Sequence, residues 1–320
     1  YGIDYTYFIE SGKVKYGPAD PRYKDFLKLM AQWYKSGLID PELATNSQKT
    51  FQAKAMSNKS GAFYCNTGSG IGTFTQQMAK VDPSYKLAGV PYPVLKKGDT
   101  NRFYQTANPV TPQACISSKC EHPDIAMAYL NYGFTKEGYI LYNFGIEGTS
   151  FNWDNGSPKY ADLVTKNPNG LAMQAALHMY TWAVKAGNMV QDPRYQTQYQ
   201  PYQEQQDAVK TWSAASSKTT PGTNYIPQGR LTADETNSIA SAETQINTYR
   251  DEMFLKFVEG IQPITDANFN SYVSQLKALG LDNTLKVRQT AEDRFKKKNP
   301  EFYATKSFSN PYDLYKDIRK

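Results

Sequence analysis

The chain has 320 residues, 40% of them hydrophobic and 21% charged, and a net charge of +6 from 36 basic and 30 acidic side chains. That length suits two domains or one large one with a sizeable core, and no apolar run is long enough to cross a bilayer. The basic excess gathers at Lys296, Lys297, Lys298 and Arg319 with mixed signs elsewhere and no accompanying motif, which argues against a nucleic-acid partner.

Aromatic residues make up 14% of the chain, more than a core needs. Tyr and Trp join a flat apolar face to a polar edge, a chemistry that suits amphipathic guests such as sugars. Three cysteines, Cys65, Cys115 and Cys120, are too few for a disulfide scaffold. Cys115 and Cys120 could bridge if the chain reverses between them; the favoured expectation is a buried Cys115 on a strand and an exposed Cys120. Tyr1-Gly-Ile-Asp reads as the interior of a chain, with no signal peptide or lipobox, so a fragment or a processed form is expected.

In chain order, Tyr5 to Glu10 and Lys13 to Tyr16 form a hairpin about Ser11-Gly12. Asp20-Pro21 caps an amphipathic helix that ends at Gly37, with Trp33 on its apolar face and expected in the core. A second helix spans about Gln48 to Asn58. Gly61 to Cys65 is small or apolar and reads as a buried strand, followed by a glycine-rich turn, Asn66 to Gly72, and a helix from Thr73 to Met78. Lys86 to Pro91 and Thr111 to Ser117 read as further strands. Helices follow at Pro123 to Tyr132 and from Thr135 to Phe144, then a loop with a hairpin turn at Asn155-Gly156. The remainder is helical: Gly170 to Lys185, Pro193 to Ala214, Ala233 to Glu259, Asp266 to Leu279 and Asp282 to Lys298. Trp182 and Trp212 are expected in the core. Strands alternating with helices early and helices late indicate an α/β fold with a helix-rich C-terminal half.

The glycine turn is the candidate binding element, because helix-start amides lack partners within the helix and bare backbone lets a ligand approach. Gly68, Gly70 and Gly72 alternate, and Thr73 stands where GxGxxG needs its third glycine, so it is not a dinucleotide fingerprint. Nor does a P-loop lysine follow. His122 and His178 lie in different elements with no metal-ligand spacing, no GxSxG elbow occurs, and no calcium loop of EF-hand type is present, so neither metal, cofactor nor catalytic residue is expected. Glu147 and Asp154 are the first pair to check for glycosidase carboxylates.

Several phrases together resemble the family 1 extracellular solute-binding proteins of bacterial ABC importers, the large Gram-positive lipoprotein type. They are KVKYGPADPRYKDFLKLMAQWYKSGLIDPELATN (13–46), KSGAFYCNTGSGIG (59–72), PYPVLKKGD (91–99), FTKEGYILYNFGIEGTSF (134–151), VQDPRY (190–195) and INTYRDEMFLKFVEG (246–260). The resemblance implies a periplasmic-binding-protein-like fold of type 2: two α/β lobes joined by crossing segments, with ligand in the cleft between them and the first lobe incomplete here. It implies that residues 1–105 belong to the second lobe, 106–147 cross to the first, 148–298 return to the second, and 299–320 form an extension. Asn108-Pro109 and Gly145 to Gly148 would be the hinges.

The function implied is that of a monomeric, non-catalytic, extracellular lipoprotein that delivers a carbohydrate to membrane permease subunits. An orphan sensor or surface interaction protein on the same fold is the alternative, and a glycan-active enzyme is less favoured. In the maltose-binding type the turn equivalent to Asn66 to Gly70 presents a tryptophan, and here Ser69 stands in its place. Asn66, Thr67 and Ser69 can still hydrogen-bond hydroxyls, with Tyr64 or Phe74 supplying a face. Trp153 is the best stacking candidate. Asn247 aligns with a second ligand-facing aromatic, and Arg250 lies one turn on.

Overall fold

The computed structural model describes residues 1–99, 114–171, 173–183, 188–217, 224, 225, 227 and 229–300. In chain order its elements are β1 (Tyr7–Glu10), β2 (Lys13–Tyr16), α1 (Pro21–Lys35), α2 (Gln48–Met56), α3 (Thr73–Met78), α4 (Pro123–Tyr132) and α5 (Lys136–Phe144). Then come β3 (Phe151–Asp154), β4 (Ser157–Tyr160), α6 (Asp162–Thr165), α7 (Met173–Tyr180), α8 (Pro193–Tyr199), α9 (Gln203–Ser217) and β5 (Asn224–Tyr225). The last three are α10 (Ala233–Val258), α11 (Asp266–Ala278) and α12 (Leu281–Lys298). Expected positions 100–113, with the Asn108-Pro109 hinge, and 301–320 lie outside the described residues.

The chain divides into two units. The first takes residues 1–61, 91–99 and the described part of 213–300; the second takes 62–90 and the described part of 114–212. Within the described residues the chain changes unit near Gly61, Val90 and Trp212, and residues 62–90 join the second unit through hydrogen bonds with Gln200, Gln205 and Trp212.

The first unit is built on the β1–β2 hairpin. Ser11 (φ 52°) and Gly12 (φ 79°) both take the left-handed backbone that a two-residue hairpin turn demands, pairing Glu10 with Lys13 and Tyr7 with Tyr16. β5 adds antiparallel to β1, giving the order β2-β1-β5. Helix α1 starts where the Asp20 carboxylate accepts from the Arg22 amide, with Pro21 in the first turn. Tyr23 and Leu27 of α1, Ile246 and Phe257 of α10, Tyr272 and Leu276 of α11 and Leu281 of α12 close one apolar core over the hairpin. Trp33 is not part of it. Met30 and Tyr34 in the last turns of α1 pack against this core, but Trp33 between them stays 38% exposed.

Helix α10 opens with a capping box. The Thr232 hydroxyl accepts from the Glu235 amide (3.2 Å), and the Glu235 carboxylate accepts from the Thr232 amide (2.8 Å). Both Glu235 oxygens also take a guanidinium N–H of Arg294 on α12, at 2.8 and 2.7 Å. The Arg294 side chain first, and the Thr232 amide next, hold this carboxyl at about 2 against an ordinary 4.5. A depressed folded-state pKa gives stability that is complete above the unfolded value and is lost as the group is protonated. Thermal stability is therefore expected to fall as pH drops from 4.5 toward about 2, and Glu235→Gln should flatten that part of the profile. Melting curves from pH 2 to 6 on both proteins measure this, and parallel profiles would refute it.

The second unit surrounds the β3–β4 hairpin, whose turn again uses paired left-handed residues, Asn155 (φ 50°) and Gly156 (φ 76°). Phe144 of α5, Phe151, Tyr160, Val164 of α6, Leu177 of α7 and Tyr195 of α8 make its core. The helix expected over Pro193 to Ala214 is two helices, because Pro201 has no N–H to donate and disfavours helix before it. The strands expected at Gly61 to Cys65, Lys86 to Pro91 and, over its described part, Thr111 to Ser117 do not form. A strand exists only through a neighbour's hydrogen bonds, and these segments have no ladder partner among the described residues. With its strand gone Cys115 is exposed while Cys120 is half-buried, the reverse of expectation, and all three thiols are free. Trp182 lies beyond the end of α7 and is 48% exposed rather than in the core. Trp212 is half-buried on α9 and donates its indole N–H to the Val90 carbonyl at 2.8 Å.

Candidate functional site

In the second unit the glycine turn is helical: Thr67–Gly72 form a wide π-type turn that runs straight into α3. The Gly70 and Ile71 amides donate to the Asn66 carbonyl at 3.0 and 3.1 Å, and the Thr73 amide reaches the Gly68 and Gly70 carbonyls. The helix-start amides therefore belong to Thr67, Gly68 and Ser69, several residues earlier than a turn-then-helix reading implies.

The alternating glycines answer to packing. A Cβ at Gly68 would lie 2.3 Å from the Tyr199 hydroxyl oxygen, one at Gly70 2.3 Å from Cys65 Cβ, and one at Gly72 2.5 Å from Gln205 Nε2. Each glycine is pressed by a neighbour, and the intervening positions face elsewhere. Asn66 and Ser69 are exposed, and Thr67 is half-buried. Gln200 Nε2 donates to Thr67 Oγ1 at 3.0 Å, and Gln205 Nε2 donates to the Thr67 carbonyl at 2.8 Å. Tyr64 is 80% exposed. Phe74 is sealed in the interior against the Phe63 ring (5.8 Å between centroids), so it offers no face to a guest.

Trp153 sits on β3 opposite Pro158. One side of its indole meets the Phe151 ring edge-on at 5.7 Å, and 39% of the residue is exposed. This hairpin and the glycine turn share one support. Gln198 at the end of α8 accepts from the Tyr160 amide (2.8 Å) and donates to the Pro158 carbonyl (3.0 Å), while the next two residues, Tyr199 and Gln200, bear on Gly68 and Thr67. Sequence reasoning missed Gln198, Tyr199, Gln200 and Gln205; the density of glutamine over 196–206 (QTQYQPYQEQQ) was the available signal.

Asn247 and Arg250 belong to the first unit. Arg250 is buried and its guanidinium lies 4.2 Å from the Tyr5 ring centroid. It donates to both Asp251 carboxylate oxygens (2.8 and 3.1 Å) and, at 2.9 Å, to Asn247 Oδ1. Arg250 therefore positions Asn247, which is exposed and lines a pocket of about 290 Å³ with Thr6, Tyr7, Pro227, Glu243 and Arg288. Glu147 and Asp154 are both exposed, with Asp154 3.6 Å from Lys159 Nζ. Among the described residues no three His, Cys, Asp or Glu side chains come together in a way that could hold a metal ion, and no helix is long and apolar enough to cross a membrane.

The fold is that of periplasmic-binding-protein-like solute receptors. The alginate-binding protein AlgQ2, solved without calcium ion, superposes with a TM-score of 0.67 at 25% identity over 90% of this chain and 57% of its own. An HMO-binding, ABC-transporter-associated solute-binding protein from Bifidobacterium longum infantis gives 0.61 at 19% identity, with 90% and 57% covered. The chain thus spans under three fifths of the solved structures it matches. By sequence it is 24% identical over 266 residues to an uncharacterized protein in the butB 5′ region of Niallia circulans, covering 80% of this chain and 93% of that one. No family model matches.

Proposed function

We propose that the chain is the larger part of an extracellular, lipid-anchored solute-binding protein that captures a carbohydrate without altering it and passes it to the permease of an ABC importer. The observation that carries this reading is the common support of Trp153's hairpin and the Asn66 to Ser69 turn by the consecutive residues Gln198, Tyr199 and Gln200, with a stacking face on the one and hydroxyl partners on the other. Sugars need that combination: apolar ring faces stack on indole while ring hydroxyls take amide and hydroxyl partners. The names of the solved neighbours, which bind alginate and HMO, agree with it. Asn66, Thr67, Ser69, Tyr64 and Trp153 are the residues assigned to contact sugar in this unit, and Asn247, held by Arg250, in the other.

Titration calorimetry against a panel of oligosaccharides tests the reading. Trp153→Ala is expected to weaken the best ligand about tenfold, the worth of one stacked aromatic. Silence across the whole panel, or an unchanged affinity in Trp153→Ala, would sink it.

A further inference from the structure

The pocket beside Asn247 has a wall whose charge is already spent. The Arg288 guanidinium lies 4.2 Å from the Tyr7 ring centroid, which fixes its plane, and its Nε donates to Glu243 Oε1 at 2.7 Å while Nη2 lies 2.5 Å from the same oxygen. Their side chains are 24% and 22% exposed, so the pair faces the pocket in partly desolvated surroundings. The other nearby cation, Arg250, stands behind Asn247 and is committed to Asp251 and to Asn247 Oδ1. That bond uses the Asn247 oxygen and leaves its amide N–H groups as the donors this residue can turn to a guest. Thr6 spends its hydroxyl proton on Asp4 Oδ1 (2.7 Å), so its oxygen is left to accept. The lining thus offers neutral donors and acceptors, a neutralised cation and a carboxylate, in a space near the lower end of ligand pockets, about 300 Å³.

Building on the carbohydrate reading, we infer that this pocket selects an uncharged sugar ring over an anionic one, and that the Glu243–Arg288 pair is the specificity-determining element. A carboxylated sugar here meets Glu243 with no uncommitted cation among the described lining residues to receive it, and an unpaired like charge is a means of rejecting the wrong guest. Removing the negative charge from Glu243 frees Arg288 to receive one.

Methyl glucoside and methyl glucuronide, alike except for the carboxylate, are titrated into the full chain with the Asn247 side-chain amide as the NMR reporter. The glucoside is expected to bind more tightly. In Glu243→Gln, whose amide still accepts from Arg288, preference should move toward the glucuronide by about fivefold, the scale of a partly exposed ion pair. In Arg288→Met, which leaves Glu243 uncovered, it should move the other way. A wild-type chain that binds the glucuronide as tightly as the glucoside, or a Glu243→Gln ratio equal to wild type, overturns the inference. If neither sugar moves the reporter, the carbohydrate reading is left to the oligosaccharide panel, and inorganic sulfate decides the charge question. Sulfate should shift the Asn247 amide in Glu243→Gln and not in wild type, and an equal response in both would overturn it.

Discussion

Asp192→Ala is expected to destabilise the second unit by about 3–5 kcal/mol, the cost of breaking a buried charge pair by removing one member. The Asp192 side chain is fully buried at the start of α8. Its carboxylate accepts from the Tyr139 hydroxyl (2.6 Å), from the Arg194 amide (2.8 Å) and from Arg194 Nη2 (2.6 Å). The Asp192 amide in turn donates to Asn143 Oδ1 at 2.7 Å, and Asn143 Nδ2 donates to the Tyr139 and Val190 carbonyls at 2.8 and 2.9 Å. One carboxylate therefore caps α8, neutralises Arg194 and ties α8 to α5. Asp192→Asn keeps the shape and the cap while losing the charge, so it should cost about half as much, in the range of one charged hydrogen bond. Urea unfolding of the three proteins measures this; a change under about 1 kcal/mol for Asp192→Ala would mean the network relaxes freely. Because α8 ends in Gln198 and Tyr199, the loss should also reach the Trp153 hairpin. Faster amide exchange at Tyr160, whose N–H donates to Gln198, is the local signature.

That network joins VQDPRY to FTKEGYILYNFGIEGTSF, two of the phrases on which the family resemblance rests, and its residues serve the scaffold. The same holds for KVKYGPADPRY, where Glu10 and Asp20 grip Arg22 at the start of α1. Caps and turns are legible because their work is local. Asp20-Pro21 and Thr135 are each followed by the helix they announce, since a cap's partner is two or three residues away. Ser11-Gly12 and Asn155-Gly156 mark their hairpins for a like reason. Where the partner is remote, sequence misleads. Gly61 to Cys65 has the composition of a buried strand but no ladder beside it among the described residues, and Trp33 has the spacing of a core residue yet stays exposed while Met30 and Tyr34 beside it pack on the core. Trp182 fails likewise, exposed beyond the end of α7. At the candidate site, the polar outer residues Asn66 and Ser69 could be read from turn chemistry. The glutamine run over 196–206 marks the segment that supports them but not its targets, because glutamine has no fixed local role and the contacts of Gln200 and Gln205 to Thr67 cross more than 130 residues.

Gly17→Ala is expected to cost about 3 kcal/mol, at the upper end of overpacking penalties, because the atoms in its way are backbone. Gly17 is buried between β2 and α1, its N–H donating to the Thr6 carbonyl at 2.8 Å. A Cβ there would lie 1.6 Å from the Asp4 carbonyl oxygen and 2.8 Å from its carbon. The obstructing segment cannot step aside cheaply. Asp4 Oδ1 accepts from both the amide and the hydroxyl of Thr6 (2.8 and 2.7 Å), and Tyr5 between them lies under the Arg250 guanidinium and donates its hydroxyl to Asp251 at 2.6 Å. Moving residues 4–6 therefore disturbs Arg250, which holds Asn247, and shifts Thr6, which lines the same pocket. Gly37→Ala separates the two reasons a glycine can be required. Gly37 has φ +74° and nothing within 4 Å of the place a methyl group would take, so alanine there meets only the left-handed strain of about 1 kcal/mol. Chemical denaturation should rank Gly17→Ala well above Gly37→Ala, and the pocket's response at the Asn247 amide should change in the first alone. Equal costs would mean that the Asp4 segment yields, and that the close approach at Gly17 is not what fixes the entrance to α1.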